Sequence, residues 1–597
     1  MDIKRLTSYI FAPNPTIQNL LQDAASPKIG REYLIAYCNE LVKVLNKDVK
    51  KLQSLEWALQ MSCINTFRRI ISLRSEKLSK FSTISLLWKL VRQQLEKLPP
   101  DLSVAFFEEI HHLIKGMRGQ SGIYDELRYP QYMDYEGREA AILRSEQLDE
   151  MAKKSDSYVK KYLTGLEDEV VQKRIENKKR ILKHFKAEEK DWLNYKWHLA
   201  NVIRNSEQLR SLVQLTQAEI EAIDEAKKFA LPFGITPYYV SLMDYEPDRR
   251  HDHAIRAQVI PPMNYVAVLA QKADSIDLSC DFMLERATSP VDLVTRRYPN
   301  IAILKPYNTC SQICVYCQRN WEIDDVLFPR ALASRKKILQ AIEWLKAHPS
   351  VTEVLVTGGD PLIMNDQRIE FVLSQLAQLK NIERIRIGSR APVVLPFRIT
   401  DKLMEVIAKY HQPGRREVAL VTHFEHPYEI SPESMHAVQQ FRTRGMSVYN
   451  QTVYTIENSR KFELVALRKY LRLIGVDPYY TFNTKGKEET KSYRVPLARL
   501  QQEVKEEARL FPGLVRTDEP VYNVPRLGKN YVRAEQHHHL LSILPDGKRV
   551  YEFHPWEKNL SLADSFVDVD VPIYDYLNEL ERRGENIEDY KTIWYYF

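Results

Sequence analysis

The stretch Ile303-Leu-Lys-Pro-Tyr-Asn-Thr-Cys-Ser-Gln-Ile-Cys-Val-Tyr-Cys-Gln-Arg319 places three cysteines within eight residues. It begins in a short apolar run that predicts a buried strand, so the thiols stand in the loop after that strand. Thiolates spaced in this way, with no fourth cysteine nearby, can hold three corners of a cubane iron–sulfur cluster and leave one iron open to a small molecule. A zinc site, which requires a fourth ligand, and three unrelated buried thiols are the alternatives that the spacing leaves open.

The composition excludes several classes of protein. The 597 residues are 44% apolar and 28% charged, a globular mixture with room for about two to four domains. A net charge of +7 is small for this length and predicts no nucleic-acid partner. Six cysteines, half of them in one loop, favour a reducing compartment over a disulfide framework. The sequence shows no signal peptide and no apolar run of about 18 residues, so we expect a cytoplasmic protein without a membrane partner.

The chain divides into four parts that differ in amino-acid composition and in the spacing of apolar residues. Residues 1–190 are rich in Leu, Ile, Lys and Glu, with apolar residues at helical spacing, as in Leu86, Leu87, Leu90 and Val91. They predict an all-helical accessory domain for partner binding or oligomer contacts. We assign residues 191–295 to a helical and loop segment of the core, 296–530 to an α/β domain, and 531–597 to a C-terminal segment.

The α/β domain is predicted from alternating apolar runs and amphipathic stretches. The predicted strands are Ile301–Leu304, Glu353–Thr357, Arg384–Gly388, Val418–Thr422, Val448–Tyr454 and Pro478–Phe482. Helices are predicted near 331–348, 366–380, 398–411, 431–444 and 460–474. Six βα-like units indicate a parallel sheet, either open or curled into a partial barrel, with functional groups at the carboxyl ends of its strands. The cysteine loop and the Gly358-Gly359-Asp360 turn both follow such ends.

These segments resemble the radical S-adenosylmethionine (SAM) superfamily and, more narrowly, the lysine 2,3-aminomutase family. The cysteine loop is the superfamily signature, and the turn in Val354–Leu362 resembles its glycine-rich turn. Further stretches are close to family segments: Ile235–Asp244, Arg386–Thr400, Thr422–Pro427 and Asn450–Val453. The match runs from about Asp191 to Trp556. It implies a partial (β/α)6 radical-SAM barrel to which the N-terminal all-helical domain has been added.

The resemblance also implies cofactors and the residues that bind them. The expected cofactors are a [4Fe–4S] cluster, SAM on its open iron, and pyridoxal 5′-phosphate (PLP). The residues expected to hold the cluster are Cys310, Cys314 and Cys317. The residues expected to contact SAM are Gly358, Gly359, Asp360, His423 and Gln451. Glycine suits the turn because a side chain would block backbone approach to a ligand.

Lys529 matches the lysine that binds PLP covalently in this family. It ends the loop Val521-Tyr-Asn-Val-Pro-Arg-Leu-Gly-Lys529, whose glycine run is reduced and which is one residue shorter than the family pattern between proline and lysine. Burial would lower the pKa of such a lysine, as a nucleophilic amine requires. Arg297 and Tyr298 fall where the family places phosphate-binding groups, although another family arginine is here Ile301.

The substrate is predicted from three positions. Arg319 matches the arginine that binds the substrate α-carboxylate, for which a guanidinium fork is suited. Lysine-specific members hold the distal ammonium with two aspartates, and Lys485 and Asn523 stand at those positions here. A cation and an amide suit a distal carboxylate, which is the pattern of glutamate 2,3-aminomutase. Lys487 and Arg460 are nearby alternatives for the cation.

The sequence therefore predicts an isomerase that moves the amino group of an L-α-amino acid from C2 to C3, with glutamate favoured. It would need a reductant such as flavodoxin or ferredoxin, and a homo-oligomer is compatible with the sequence. The alternatives are a lysine 2,3-aminomutase, a radical SAM protein without PLP chemistry, and a cluster-bearing regulatory protein. Zinc is not expected, because the family's zinc cysteines are missing and the remaining thiols, Cys38, Cys63 and Cys280, are scattered. The run His537-His-His539 fits a strand better than a metal site.

Overall fold

The computed structural model describes residues 2–47, 54–123, 131–271, 281, 283–319, 322–534, 538–555, 561 and 563–597. Cys280, His537 and Trp556 lie outside this part of the chain. Two compact units are present. The first unit comprises Met1–Ser155, Val495–Leu510 and Tyr522–Phe597, and the second comprises Asp156–Arg494 and Phe511–Val521. The domain boundary predicted near residue 190 falls inside the second unit.

The N-terminal region is helical, as predicted. Its helices are α1 Ile3–Phe11, α2 Pro15–Asp23, α3 Pro27–Lys47, α4 Leu55–Ile70, α5 Leu73–Ser79, α6 Thr83–Val91, α7 Val104–Met117 and α8 Gly137–Val159. Helix α6 begins at the cap Ser82, whose side chain accepts from the Ser85 amide. It buries Leu86, Leu87 and Leu90, so the apolar spacing read from the sequence marks the core face.

The remainder of the first unit lies near the C-terminus. It contains helices α23 Leu497–Leu510 and α24 Ile573–Arg582, a strand β9 Gly528–Tyr531, and an antiparallel sheet of β10 His538–Ile543, β11 Arg549–Phe553 and β12 Phe566–Val569. Arg549 on β11 donates to both carboxylate oxygens of Glu109 on α7, at 3.1 and 3.0 Å. Both side chains are buried, so this ion pair links the N-terminal helices to the C-terminal sheet inside one unit.

The second unit contains the predicted parallel sheet. A short β1 Val294–Thr295 pairs antiparallel with β2, and six parallel strands follow in chain order: β2 Ile301–Tyr307, β3 Glu353–Gly358, β4 Arg384–Gly388, β5 Glu417–Thr422, β6 Val448–Val453 and β7 Asp477–Thr484. An eighth strand, β8 Glu519–Val524, begins in this unit and ends in the first. The six predicted strands are confirmed, and their sequential parallel order is that of a partial (β/α)6 barrel.

One set of helices connects these strands, and a second set precedes the sheet in the sequence. The connecting helices are α17 Arg335–Ala347, α18 Asp366–Gln378, α19 Ala391–Val394, α20 Asp401–Ala408, α21 Pro432–Arg442 and α22 Glu463–Leu473. Those before the sheet are α9 Asp168–Phe185, α10 Glu189–Trp192, α11 Tyr195–Ala200, α12 Ser206–Arg210, α13 Gln217–Lys228, α14 Pro237–Ser241, α15 His253–Val259 and α16 Met263–Gln271.

Shorter 3-10 turns complete the described secondary structure. They are Leu95–Lys97, Gln131–Asp134, Arg286–Thr288, Pro361–Ile363, Pro396–Arg398, Pro427–Glu429, Ile456–Asn458, Glu488–Tyr493, Gly513–Val515 and Ile587–Tyr595. Across the described part of the chain, none of the helices combines the length and apolarity needed to cross a membrane.

Candidate functional site

The cysteine loop follows the carboxyl end of β2 and is fixed by the backbone of neighbouring segments. The amide of Ile313 donates to the carbonyl of Gly234 at 3.0 Å, and that of Val315 donates to Gln258 at 2.7 Å. The carbonyl of Cys310 accepts from Leu327 at 3.0 Å. Cys310, Cys314 and Cys317 form no disulfide and are half-buried. The loop, held by these hydrogen bonds, therefore places its three cysteines at the rim where active groups are predicted.

The arrangement of these thiols fits a multinuclear cluster. Burial, followed by the negative charges of Asp360, Cys317 and Cys314, raises the pKa of Cys310, so a bound cation would be needed to stabilise its thiolate. Four ligands around one zinc ion would lie about 3.8 Å apart. Among the described residues, the one trio of ligating atoms that lies within 4.8 Å is formed elsewhere, by His253, His426 and Glu463. The three cysteine sulfurs form no such trio, which argues against a single zinc ion between them.

The glycine turn after β3 packs against the cysteine loop. Gly358 has a φ of +122°, and a Cβ built on it would lie 2.6 Å from the Tyr307 carbonyl oxygen. A Cβ on Gly359 would overlap the backbone of Thr309. We predicted that these glycines allow backbone approach to a ligand. In the structure they allow the close approach of two loops, and their contact with SAM stays a prediction.

Asp360 positions the next loop. Its Oδ1 accepts from the Ser389 hydroxyl at 2.7 Å and the Leu362 amide at 3.0 Å, and its Oδ2 accepts from the Arg390 amide at 2.9 Å. The carboxylate thus connects the loops after β3 and β4. Its predicted role toward the methionine end of SAM remains untested.

Arg390 is a site residue that the sequence reasoning did not single out. Its Nη1 donates to Sγ of Cys314 at 2.9 Å, its Nε donates to the carbonyl of His423 at 3.0 Å, and its Nη2 donates to Glu429. The signal was present in the family-like segment Arg386–Thr400, but nothing in the spacing indicated that this arginine would reach a cysteine.

His423 and Gln451, both predicted SAM contacts, lie side by side. Nδ1 of His423 lies 3.1 Å from the backbone oxygen of Gln451. Burial lowers the pKa of His423 to about 4, so the imidazole is neutral at physiological pH. Because a carbonyl oxygen can only accept, Nδ1 carries the proton and Nε2 is an acceptor for a donor on a ligand.

Arg319, the predicted carboxylate ligand, already contacts a carboxylate of the chain. Its Nε donates to the two oxygens of Glu285 at 2.8 and 3.1 Å. Lys305 bridges Glu285 at 3.4 Å and Glu322 at 2.8 Å. Burial disfavours the ionised form of Glu285, yet Arg319 and Lys305 together hold its pKa below the usual value. Glu285 thus orients the guanidinium of Arg319 from its Nε side.

Lys485 and Lys487 follow the carboxyl end of β7 and are buried, with 0% and 2% of their surface exposed. Lys487 donates to the backbone carbonyl of Cys317 and lies 3.3 Å from a carboxylate oxygen of Glu489. The alternative cation named from the sequence therefore touches the cysteine loop. Lys485 lies two residues before it on the same loop.

Arg460, the other alternative cation, belongs to a separate buried cluster. It donates to Glu463 at 2.7 Å and to Nε2 of His253 at 2.9 Å. Nε2 of His426 lies 3.1 Å from the same Glu463 oxygen. The guanidinium of Arg460 thus contacts two of these three groups, and the four side chains form one buried hydrogen-bonded cluster.

Arg297 and Tyr298 precede the amino end of β2, whereas the cysteine loop follows its carboxyl end. The described contact of Arg297 is a 3.1 Å hydrogen bond from its Nη1 to the Met283 carbonyl. Phosphate binding by them stays a prediction.

Lys529 and Asn523 belong to the first unit. Lys529 is half-buried on β9, and Asn523 is buried on β8. In the turn between these strands Arg526 has a φ of +63°, a conformation that glycine adopts without strain. Where the family pattern has glycines, this chain therefore has an arginine in the left-handed backbone conformation. The PLP role of Lys529 and the substrate role of Asn523 stay predictions.

Comparison with known proteins identifies related chains. The Radical SAM superfamily matches residues 304–466. An uncharacterized KamA family protein of Methanocaldococcus jannaschii is 40% identical over 100% of both chains. Glutamate 2,3-aminomutase of Clostridioides difficile is 34% identical and covers 58% of this chain and 78% of its own length. L-lysine 2,3-aminomutase of Clostridium subterminale is also 34% identical and covers 52% of this chain and 70% of its own. The first relative therefore matches the whole chain, whereas the two aminomutases match just over half of it.

Proposed function

This chain belongs to the KamA family of radical SAM proteins, and from that premise we propose that it is a 2,3-aminomutase for an α-amino acid with a second carboxylate, L-glutamate being favoured. A radical SAM domain implies a [4Fe–4S] cluster and SAM, and the three cysteines fit the cluster. The observation that supports the substrate choice is the pair of buried lysines after β7.

Bound cluster and SAM would supply a carbon-centred radical that removes hydrogen, and PLP, bound through Lys529, would activate the amino group that migrates. Residues of the chain would then orient the substrate. Arg319 is held at Nε by Glu285, and its Nη atoms would bind the α-carboxylate. His423 would offer Nε2 as an acceptor to SAM.

The lysine pair argues against an ammonium-bearing side chain in the substrate. Lys485 and Lys487 are both buried, and Lys487 is already paired with Glu489 at 3.3 Å. A distal ammonium brought beside Lys485 would meet a cation of its own sign in surroundings of reduced dielectric, whereas a carboxylate would be attracted. The chain is similar to both a glutamate and a lysine 2,3-aminomutase, so similarity alone does not choose between the two substrates. The charge of the residues after β7 is therefore the basis of the choice.

A charge-reversal experiment tests this choice. The double variant Lys485→Asp with Asn523→Asp restores the pattern of lysine-specific members. We expect it to lose at least about 100-fold in kcat/KM for L-glutamate and to gain turnover of L-lysine, because two charges change sign or appear at the substrate end. Lys491→Asp is the matched control, since Lys491 lies nearby but is 54% exposed.

Reductive cleavage of SAM is measured in parallel on each variant. If the double variant cleaves SAM but keeps its preference for glutamate, the substrate assignment is wrong. If the unmodified protein converts only lysine, the assignment is also wrong and the chain is a lysine 2,3-aminomutase.

A further inference from the structure

We propose that Arg390 is a positioning residue of the iron–sulfur cluster, which fixes Cys314 by a charge-assisted hydrogen bond and raises the reduction potential of the cluster. The distance from Nη1 to Sγ is 2.9 Å. This inference relies on the cluster part of the proposed function and is independent of the substrate. The contact is made by a residue from the loop after β4 to a residue in the loop after β2.

Hydrogen bonds fix both the backbone and the guanidinium of Arg390. The backbone amide of Arg390 donates to Asp360 at 2.9 Å, and Nε donates to the His423 carbonyl at 3.0 Å. Only 11% of the Arg390 side chain is exposed. The hydrogen bond to Cys314 is therefore preorganised and does not depend on a flexible surface arginine finding the sulfur.

Glu429 supplies the counterion that makes a buried arginine tolerable. It is fully buried and accepts from Nη2 of Arg390, from the Tyr239 hydroxyl at 2.7 Å and from Nε2 of Gln258 at 2.8 Å. The same carboxylate also accepts from the Glu425 amide. Glu429 binds Nη2 and Cys314 binds Nη1, so the guanidinium bridges the carboxylate and the sulfur.

The arrangement favours the reduced cluster. Reduction adds one electron, delivered by an external reductant, and makes the cluster and its thiolate ligands more negative. A cationic donor at one ligand sulfur stabilises that state more than the oxidised one. The carboxylate of Glu429 acts in the opposite sense. The two residues should therefore shift the potential in opposite directions when each is neutralised.

The test is a redox titration of the anaerobically reconstituted full-length protein, followed by the electron paramagnetic resonance signal of the reduced cluster. We expect Arg390→Met to lower the reduced-to-oxidised ratio at a given potential by about tenfold, which is 59 mV for a one-electron couple. Arg390→Lys should recover part of the loss, and Glu429→Gln should shift the potential upward. Arg384→Met is the matched control, because Arg384 lies on β4 but pairs with Glu353 and Glu417 and is 47% exposed.

Each outcome is decisive. A downward shift in Arg390→Met with an upward shift in Glu429→Gln supports the proposal. Unchanged potentials in both variants, or shifts of the same sign, would overturn it. Should Arg390→Met fail to hold iron, the sign of the Glu429→Gln shift decides alone. An unmodified protein that binds no cluster would instead refute the proposed function itself.

Discussion

The side-chain ammonium of Lys487 donates a hydrogen bond to the backbone carbonyl of Cys317. A loop at the end of the last parallel strand is thereby joined to the loop at the end of the first. Lys487 also carries a buried ion pair with Glu489, so its position is fixed from two sides. Lys487 thus joins the two loops and places a buried, paired cation beside the cysteine loop.

Replacing Lys487 should impair turnover more than cluster binding. We expect Lys487→Met to lower kcat/KM for glutamate by about 10- to 100-fold, since a hydrogen bond to a charged group contributes about 1.5–3 kcal/mol. Iron content should remain that of the unmodified protein, because all three thiols are kept. Lys491→Met should change neither quantity, and equal activities for the two variants would contradict this role.

Each cysteine of the loop should be required for the cluster. Cys310→Ser, Cys314→Ser and Cys317→Ser should each lose the cluster absorbance and most of the bound iron after anaerobic reconstitution. Cys38→Ala and Cys63→Ala are the controls, because these thiols are buried among the N-terminal helices. Iron retained by all three serine variants would show that the cluster is held elsewhere.

Lys529 should be the site of PLP attachment. Borohydride treatment of PLP-loaded protein should leave a covalent adduct on the peptide that contains Lys529, and the adduct should be absent in Lys529→Ala. Lys548→Ala, in the same unit, should still form it. Absence of the adduct in the unmodified protein would favour the alternative of a radical SAM protein without PLP chemistry. The structural observation behind that alternative is the positive φ of Arg526 in the loop that carries Lys529.

Acid should destabilise the second unit through its buried histidines. His198 is fully buried and its Nε2 contacts the Trp192 carbonyl at 2.7 Å. Burial lowers the pKa of His198 to about 4 from 6.5, so below pH 6.5 the unfolded chain binds a proton that the folded chain does not. Stability is therefore lost as the pH falls from 6.5 toward 4, by about 2 kcal/mol for this group at pH 5.

Urea unfolding at pH 7.5 and pH 5 measures this dependence. The loss of unfolding free energy between the two values should be smaller in His198→Gln than in the unmodified protein. An unchanged difference would show that His198 does not contribute.

The sequence was sufficient for the sheet because its pattern is local. Each strand from β2 to β7 is a short apolar run followed by an amphipathic helix, and these periodicities depend on neighbouring residues only. The cysteine and glycine loops could be placed on one rim because parallel strands end together. The N-terminal helices were predicted for the same reason.

Contacts between distant segments could not be predicted in this way. Arg390 reaches Cys314 across 76 residues of sequence, and Glu285 reaches Arg319 across 34. No periodicity encodes such pairs, because they depend on how loops of the folded chain approach one another. Gly359 shows the same limit, since the sequence indicated a close approach but not that the partner is Thr309.

Incubation of the reduced, cofactor-loaded protein with equal concentrations of L-glutamate and L-lysine, followed by mass spectrometry of the β-amino acids formed, tests the proposed reaction most directly. We expect β-glutamate to accumulate while β-lysine stays near background. Formation of β-lysine alone, or cleavage of SAM without either product, would contradict it.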